Sequence, residues 1–474
     1  MEENQCDESV GNWRNKWWVE ECKKTWNIAL PAILTSASQF SIDFVCVVFA
    51  GHLGPLELAA VSEVGNVIIG FAYGVMYGMG SALETLSGQA FGAARFNMLG
   101  IYMQRSWIIT LMTSLVLTPI YVFTSPILKV LRQDKDISEL GGKYSVLVLP
   151  QLFAYALNFP MQKFLQSQSK IWVMTLMSIA SMAISLLLNW VLVSKLGQGL
   201  LGVAMAGNVA WWVLVIGQMV YIVSGYFPEA WTGFSLLAFK SLFSFVKLSL
   251  SSAIMLCLEL WYFTAVILMV GVQKNAANAV DAISICMNLQ AWTIMVALGF
   301  NVAASVRVSN ELGAGKPKAV KRAILVNLVK AGLLGFVFGI IVVATRNQFP
   351  AIFTDKLEVK RETSKLGYIL ALTIFLTGFQ QVLQGVAVGA GWQFLVSMIN
   401  IGCYYIVGVP TGALLGYRFK LGVQGIWWAT LGGYLLQTII LVVLIFRTNW
   451  NKEALQAEER IKTWGGMAEP QGSS

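Results

Sequence analysis

A single carboxylate interrupts one of the most apolar stretches of the sequence. The segment SSAIMLCLELWYFTAVILMVG, residues 251–271, carries one charged residue, Glu259, near its middle. An acidic side chain at the centre of a membrane helix costs about 2.5–3.5 kcal/mol on insertion scales, and protonation removes most of that cost. Glu259 can therefore take up and release a proton as its access to water changes, which makes it the first candidate for proton coupling. A structural pairing with a neighbouring helix is the alternative.

Polar side chains also recur at helical spacing in two other apolar segments of the second half. Residues three, four and seven positions apart share one face of a helix, so each set forms a polar stripe. We interpret both stripes as candidates to line a substrate cavity, with interhelical hydrogen bonding as an equally good explanation for each residue. The stripes are Thr377, Gln380, Gln381 and Gln384 in one segment and Asp281, Ser284 and Asn288 in the other.

The first half of the chain has its own polar stripe. Thr35, Gln39 and Asp43 follow one another at intervals of four residues, and Asn158, Gln162 and Gln166 do the same in a later segment. Asp43 is a second intramembrane acid and therefore a second candidate for proton coupling, while Gln39 and Gln162 are candidates for the substrate cavity.

Two tyrosines, and three acids near the ends of apolar segments, are the remaining residues considered for a role. Tyr73 and Tyr77 are candidates to line a pocket for flat apolar ligands, with packing against lipid as the alternative. Glu63 and Glu84 lie near the ends of one apolar segment and Asp281 near the start of another, where water and the amides of a helix start can hold a carboxylate. We interpret these three acids as mainly structural.

Composition places these residues in a membrane protein. The 474-residue chain is 57% hydrophobic and 12% charged, whereas soluble domains carry about 25% charged residues. The net charge of +9 suits basic loops that face anionic lipid, and the scattered Lys and Arg do not indicate nucleic-acid binding. His52 is the only histidine, and the six cysteines lack paired spacing. We therefore expect no metal site, no cofactor and no enzymatic activity.

Twelve apolar segments are long enough to cross a bilayer, and all are predicted to be helices because the membrane interior requires an internally hydrogen-bonded backbone. They lie at 27–51, 60–86, 102–126, 141–167, 170–194, 201–225, 244–272, 278–306, 320–346, 365–390, 394–416 and 422–446. The predicted organisation is an N-terminal arm at 1–26, an N-lobe at 27–225, an inter-lobe loop at 226–243, a C-lobe at 244–446 and a C-terminal tail at 447–474.

Three pairs of similar segments support two related lobes. LGVAMAGNVAWW (201–212) resembles LGVQGIWWATLGG (421–433), FPMQKFLQ (159–166) resembles TGFQQVLQ (377–384), and GQAFGAAR (88–95) aligns with SNELGAGK (309–316). All three pairs have an offset close to 220 residues. The fold class predicted is thus an all-α integral membrane protein with twelve transmembrane helices in two six-helix lobes related by a parallel pseudo-twofold repeat.

Basic residues indicate the orientation. Arg95 and Arg105 flank the second connection between segments, and Arg307, Lys316 and Lys318 belong to a larger cluster at the eighth. Cytoplasmic loops carry an excess of Lys and Arg, so both termini are predicted to be cytoplasmic. Basic residues in the ninth connection point the other way.

Four motifs show a family resemblance that extends from about residue 20 to residue 465. They are VVFAGHLGPLELAA (47–60), ALETLSGQAFGA (82–93), SVRVSNELGAG (305–315) and VLQGVAVGAGWQ (382–393). The chain resembles the eukaryotic, especially plant, multidrug and toxic compound extrusion (MATE) family, and CLELWYF (257–263) with SICMN (284–288) is similar to its flavonoid-type branch. The resemblance implies the MATE fold, a central cavity that opens alternately to each side, and export of organic solutes or anions in exchange for protons. Glu259 matches the family's seventh-helix glutamate.

Two departures from the family pattern affect the mechanism. Many plant members pair that glutamate with an aspartate in the tenth helix, and the matching position here is Thr377. The first-helix aspartate of bacterial members would fall near Cys46, one helical turn from Asp43 on the same face. Coupling would then depend on one carboxylate with neutral partners, and the bacterial mechanism does not carry over directly.

These observations predict a proton-coupled antiporter that exports organic solutes, such as secondary metabolites or xenobiotics, from the cytosol. The alternatives are an anion channel or uniporter on the same fold and a ligand-binding sensor without flux. The expected partners are a small organic solute or anion, protons and the lipid bilayer, with a monomeric chain and no nucleic acid. We predict a multi-pass protein of the vacuolar membrane, with the plasma membrane as the alternative location.

Overall fold

The structure, a computed structural model, describes residues 2–240, 242–271 and 276–464. Part of four predicted regions lies outside the described residues: Met1 of the N-terminal arm, Ser241 of the inter-lobe loop, residues 272–275 of the C-lobe, and residues 465–474 of the C-terminal tail. Residue 272 is the last of the seventh predicted segment.

Twelve long helices, each overlapping one predicted segment, account for most of the described chain, which confirms the all-α prediction. They are α1 (Glu2–Leu53), α2 (Pro55–Gly92), α3 (Asn97–Val122), α4 (Lys135–Ser167), α5 (Ile171–Lys195), α6 (Gly199–Val223), α7 (Leu242–Gly271), α8 (Ala276–Gly313), α9 (Pro317–Thr345), α10 (Leu357–Ala390), α11 (Gln393–Arg418) and α12 (Gly422–Arg447). Four short helices lie between or after them: Thr124–Val130, Leu236–Phe239, Phe349–Ile352 and Trp450–Trp464.

Within the described residues, eleven of the twelve helices are long and apolar enough to span a membrane by length and hydropathy alone. The exception is α4, whose apolar stretch is interrupted by Pro150, Gln151, Asn158 and Pro160. Those residues lower its hydropathy, yet α4 has 33 residues, and about 20 suffice to cross the hydrocarbon core.

Local sequence signals set several helix ends. Asp134 caps the start of α4, where its side chain accepts a hydrogen bond from the backbone N–H of Asp136. Pro55 and Pro317 occupy the first turns of α2 and α9, where a missing N–H costs nothing. At the other end of α10, Gly391 adopts φ +83°, a left-handed conformation that glycine accepts without steric strain.

Two compact units divide the described chain. One contains residues 34–257 with residues 458–464, and the other contains residues 258–457 with the start of the chain up to Ile33. The first unit has an apolar core that includes Tyr155 and Trp211, and the core of the second includes Tyr262 and Tyr404. In both, most of the largest fully buried side chains are aromatic, and the first unit also buries Arg105 and Lys163.

The second unit holds the first part of α1 by charged contacts. Arg307 of α8 donates from Nε and Nη2 to the two carboxylate oxygens of Glu21, at 2.8 and 3.0 Å. Its Nη2 also lies 2.8 Å from Glu311, and Lys330 of α9 donates to the carbonyl of Cys22 at 2.6 Å. A bidentate arginine–carboxylate pair has a fixed geometry, so these contacts define where α1 packs against α8 and α9.

Glycines allow α8 and α10 to pack backbone to backbone. A Cβ atom at Gly389 would lie 2.7 Å from the carbonyl oxygen of Ser305, and one at Gly385 would overlap the carbonyl of Asn301. Only glycine permits such a close approach. The polar stripe of α10 is consequently held in a fixed position within this unit.

Candidate proton and solute site

Glu259 lies on α7 among three glutamine side chains of α10. Its side chain is buried, with 8% of the residue exposed. Oε1 accepts hydrogen bonds from Nε2 of Gln381 at 3.3 Å and of Gln380 at 3.4 Å, while Oε2 accepts one from Nε2 of Gln384 at 2.9 Å. The helical spacing of the three glutamines places them on one face of α10, and that face meets the carboxylate.

The partners of Glu259 are neutral. Among the residues that the structure describes, no lysine or arginine forms an ion pair with this carboxylate. The three amide groups stabilise the ionised form by hydrogen bonding. Once protonated, however, the carboxyl gains a hydrogen and one oxygen becomes a donor, so at least one amide has to turn or move away.

The amide of Gln380 links Glu259 to two further helices. Besides Oε1 of Glu259, its Nε2 faces the hydroxyl of Tyr404 at 2.5 Å and Oε1 of Gln437 at 2.8 Å. An amide nitrogen carries two hydrogens, so it can serve two of these three acceptors at a time. Which two it serves depends on whether Glu259 accepts, and the protonation state of Glu259 is thereby linked to α11 and α12.

The network continues beyond Gln380. The hydroxyl of Tyr404 donates to Oε1 of Gln437 at 2.5 Å, and Nε2 of Gln437 donates to Oδ1 of Asn400 at 2.5 Å. Tyr404 and Asn400 lie on α11 at a π-helical stretch, Ile401–Gly408, and at the residue before it. Such π-helical segments often occur at functional sites. Sequence reasoning missed all three residues, although Gln437 is a polar residue inside the predicted segment 422–446.

Other predicted residues of the second half lie apart from this network. Thr377 is buried but donates to the carbonyl of Thr373 in its own helix. Asp281 is exposed and 3.5 Å from Nζ of Lys356, and exposed Asn288 donates to the carbonyl of Ser284. None of these contacts involves Glu259.

The residue of α8 that contacts the glutamines of α10 does not belong to the predicted stripe but lies further along the helix. Asn301 donates from Nδ2 to the backbone carbonyl of Gln381 at 3.0 Å and to its side-chain oxygen at 3.2 Å. This contact orients the amide of Gln381 so that its nitrogen faces Glu259. Asn301 is one of the residues at which α8 and α10 approach most closely, which sequence spacing alone does not reveal.

The polar residues of α1 turn toward α5 and α6. Oδ1 of half-buried Asp43 accepts a hydrogen bond from the indole N–H of Trp211 at 3.2 Å. Gln39 donates to the hydroxyl of Ser178 at 3.4 Å, and the hydroxyls of Thr35 and Thr175 are 3.0 Å apart. The Asp43 carboxylate therefore accepts a hydrogen bond from one indole, whereas the Glu259 carboxylate accepts hydrogen bonds from three amides.

Tyr73 and Tyr77 of α2 form a half-buried stacked pair. Their rings are 6.2 Å apart with an interplanar angle of 6°. Both rings meet Phe159 of α4 edge to face, at 5.1 and 5.4 Å. Gln162, also predicted to line the cavity, is buried on α4 one turn further along.

The interpretation of Glu84 as an acid held by water and helix-start amides is wrong. Oε2 of Glu84 lies 2.6 Å from Nζ of Lys163 on α4, and the two side chains are 4% and 1% exposed. The burial arises because α2 and α4 pack closely at Gly80, where an added Cβ would lie 3.0 Å from Cβ of Phe159. A signal was present in the sequence, since Lys163 is a cation within the apolar segment 141–167.

Comparison with known proteins identifies the family of the chain. The sequence pattern of the MatE family matches residues 31–191 and 251–414. The chain belongs to the MatE family. It is 51% identical over 450 residues to Protein DETOXIFICATION 33 of Arabidopsis thaliana, which covers 95% of this chain and 93% of that protein. Protein DETOXIFICATION 29 of the same plant is 50% identical over 446 residues, covering 94% and 89%.

Solved structures of MATE transporters share the fold. The crystal structure of the eukaryotic MATE transporter AtDTX14 superposes with a TM-score of 0.89 at 31% identity, covering 94% of this chain and 99% of that one. A structure of the Vibrio cholerae MATE transporter VcmN gives 0.81 at 15% identity, covering 93% and 98%, which compares the fold alone. The predicted MATE fold is therefore confirmed.

Membership of the MatE family makes the chain a multi-pass membrane transporter of small organic solutes rather than an enzyme. Within the described residues, no group of three or more His, Cys, Asp or Glu side chains is placed to hold a metal ion. At the position that the resemblance gives to the acid of bacterial members, Cys46 is buried and receives a weak hydrogen bond from Asn189 at 3.7 Å.

Proposed function

We propose that the protein is a proton-coupled antiporter that exports organic solutes from the cytosol by alternating access, with Glu259 carrying the proton. The observation that supports this best is a buried carboxylate held by three neutral amides, with no basic partner among the described residues. An acid paired with a lysine or arginine stays ionised, whereas one held by amides changes charge at a lower cost.

Protonation acts through the glutamines. With Glu259 ionised, the amides of Gln380, Gln381 and Gln384 all point their hydrogens at it. With Glu259 protonated, Gln380 is free to donate to Tyr404 and Gln437, which belong to α11 and α12. A proton can shift a conformational equilibrium only if the two conformations bind it with different affinity, and this exchange of partners supplies such a difference.

The transport cycle follows from reciprocal linkage. If protonation weakens solute binding, solute binding must disfavour protonation by the same factor. Solute therefore leaves on the side where protons enter, and a proton leaves on the cytosolic side before solute binds again. Secondary metabolites and xenobiotics, including flavonoid-like compounds, are the proposed solutes. The proposed setting is the vacuolar membrane, or alternatively the plasma membrane, with both termini cytoplasmic and a monomeric chain.

One observation favours a second candidate, an anion channel or uniporter on the same fold. Thr377 stands where the resemblance places a second acid, and its hydroxyl donates within its own helix rather than to Glu259. Coupling through a single carboxylate is easier to bypass than coupling through two. A uniporter or channel would carry solute or current at equal pH on both sides.

Flux into liposomes of known protein content separates the candidates. We expect a panel of aromatic and aliphatic organic solutes to accumulate only when a pH gradient is imposed and to stop when an ionophore collapses that gradient. Uptake or current that is independent of the gradient would favour the uniporter or channel instead. Saturable binding with no flux of any bound solute would indicate a sensor.

Asp43 is proposed as a second proton site, and Asp43→Asn tests it. If Asp43 carries a proton, the substitution should lower the number of protons exchanged per solute while transport stays measurable, because Glu259 still cycles. The ratio is measured from the solute gradient that balances a series of imposed pH gradients. An unchanged ratio would assign Asp43 a hydrogen-bonding role toward Trp211 only.

A further inference from the structure

A buried ion pair lies behind the stacked tyrosines of α2. Lys163 is 2.6 Å from Oε2 of Glu84, and both side chains are almost completely buried. Within a membrane-spanning region such charges are costly and mark functional positions more often than structural ones. Lys163 also contacts Tyr77.

The ammonium group of Lys163 touches Tyr77 in two ways. Nζ lies 4.8 Å from the centre of the ring and 3.5 Å from the hydroxyl oxygen, to which it donates. Because that oxygen accepts from a cation, the hydrogen of the Tyr77 hydroxyl remains available and becomes a stronger donor. Tyr77 is only half-buried, so it can present this donor to a solute while Lys163 stays enclosed.

Two details argue against a purely structural bridge between α2 and α4. Among the described residues nothing hydrogen-bonds to Oε1 of Glu84, although that atom is buried, and a bridge built for stability would satisfy both oxygens. In addition, the resemblance between 159–166 and 377–384 places Lys163 at the position of Gln381, a contact of Glu259. The two lobes thus carry polar centres at matching positions on α4 and α10.

We propose that Tyr77, with Lys163 and Glu84 behind it, is a binding site in the first lobe for flat aromatic solutes that carry an anionic oxygen. Tyr73 and Tyr77 supply a stacked aromatic surface, and the Tyr77 hydroxyl donates to the anionic oxygen. Glu84 keeps the buried pair neutral as a whole, while the positive end of the pair lies at Tyr77. This proposal rests on the proposed transport of organic solutes and names the solute class that this lobe selects.

Two probes of the same shape, one anionic and one neutral, test the site. Naphthalene-2-carboxylate and naphthalene-2-carboxamide have the same ring, nearly the same size and an acceptor oxygen. Their binding to the purified full chain in detergent is measured by isothermal titration, with protein-free micelles as the blank. The carboxylate should bind about tenfold more tightly than the carboxamide, the difference expected between a charged and a neutral acceptor.

Substitutions show which residues cause the tighter binding of the carboxylate. Tyr77→Phe keeps the stacked ring but removes the donor. The carboxylate and the carboxamide should then bind this variant about equally tightly. The double variant Lys163→Met with Glu84→Gln keeps the hydroxyl but removes the cation that strengthens it as a donor, so it should lower the preference to a value between those of the wild type and Tyr77→Phe. Tyr226→Phe, at an exposed tyrosine of the same unit, is the matched control and should retain the full preference.

This experiment tests the binding site independently of the transport proposal, because the probes bind to purified protein in detergent without a proton gradient. Equal preference in the wild type and Tyr77→Phe, or no saturable binding of the carboxylate, would overturn this site. The pair would then be a structural bridge. A retained preference in a protein that shows no gradient-driven flux would overturn the antiporter and keep the site.

Discussion

Glu259→Gln is expected to abolish proton-driven transport and to leave the folded protein intact. Glutamine has nearly the same shape as protonated glutamate but cannot release a proton, so the exchange of Gln380 between its partners no longer follows the proton. Gradient-driven accumulation should fall by at least about 100-fold, corresponding to about 2.7 kcal/mol. Thermal stability should stay equal or rise, because the substitution removes a buried charge.

A second substitution at the same position tests the chemistry rather than the shape. Glu259→Asp keeps the carboxyl but withdraws it from the amides of Gln381 and Gln384. Some transport should remain, with an altered dependence on pH. Flux is compared in liposomes with verified protein content, and Glu139→Gln at an exposed acid serves as the control that should transport normally.

Wild-type accumulation by Glu259→Gln would contradict the proposed role. Glu259 would then be a structural hydrogen-bond acceptor for α10, and the coupling group would lie elsewhere. Asp43 would be the next residue to test, because it is the other acid predicted to couple protons. The same measurement, repeated on Asp43→Asn, would decide between the two.

Lys163→Met alone should destabilise the protein strongly. It leaves the Glu84 carboxylate buried without its cation, and removing one partner of a buried pair costs about 3–5 kcal/mol. We expect a lower thermal midpoint in detergent and a reduced yield of monodisperse protein. The reason is local, because both side chains are enclosed between α2 and α4 and cannot reach water without separating the helices.

Adding Glu84→Gln should restore most of that loss. A neutral pair of similar volume is often as stable as the buried ion pair that it replaces. The double-mutant cycle of Lys163→Met and Glu84→Gln therefore gives a coupling energy between the two residues, measured from the thermal midpoints. Additive effects of the single substitutions would show that the two charges are not paired in the folded protein.

Hydropathy alone predicted the number and nature of the helices, because a spanning helix is defined by a local run of apolar residues. It predicted their ends less well. The first segment was expected at 27–51, after a polar arm, whereas α1 extends from Glu2 to Leu53. The reason is tertiary, since Glu21 is held by Arg307 and Cys22 by Lys330, residues 286 and 308 positions away in the sequence.

Spacing along single helices predicted the centre of the candidate site. Glu259 and the three glutamines were each recognisable as polar residues at helical intervals in apolar segments, and the structure brings them together. Spacing could not show that Asp281 and Asn288 would be exposed while Asn301 of the same helix would reach Gln381. A stripe identifies one face of a helix but not which part of that face meets a neighbour.

Sequence by itself thus determined the membrane class, the family and the position of the buried carboxylate, since each depends on local composition or local motifs. Tertiary structure alone decided the partners: Tyr404 and Gln437 behind Gln380, Trp211 on Asp43, and Lys163 on Glu84. These contacts join residues that lie on different helices. Helix geometry orders side chains over one or two turns, whereas the choice of facing helices depends on packing across the whole unit, such as the glycine contacts between α8 and α10.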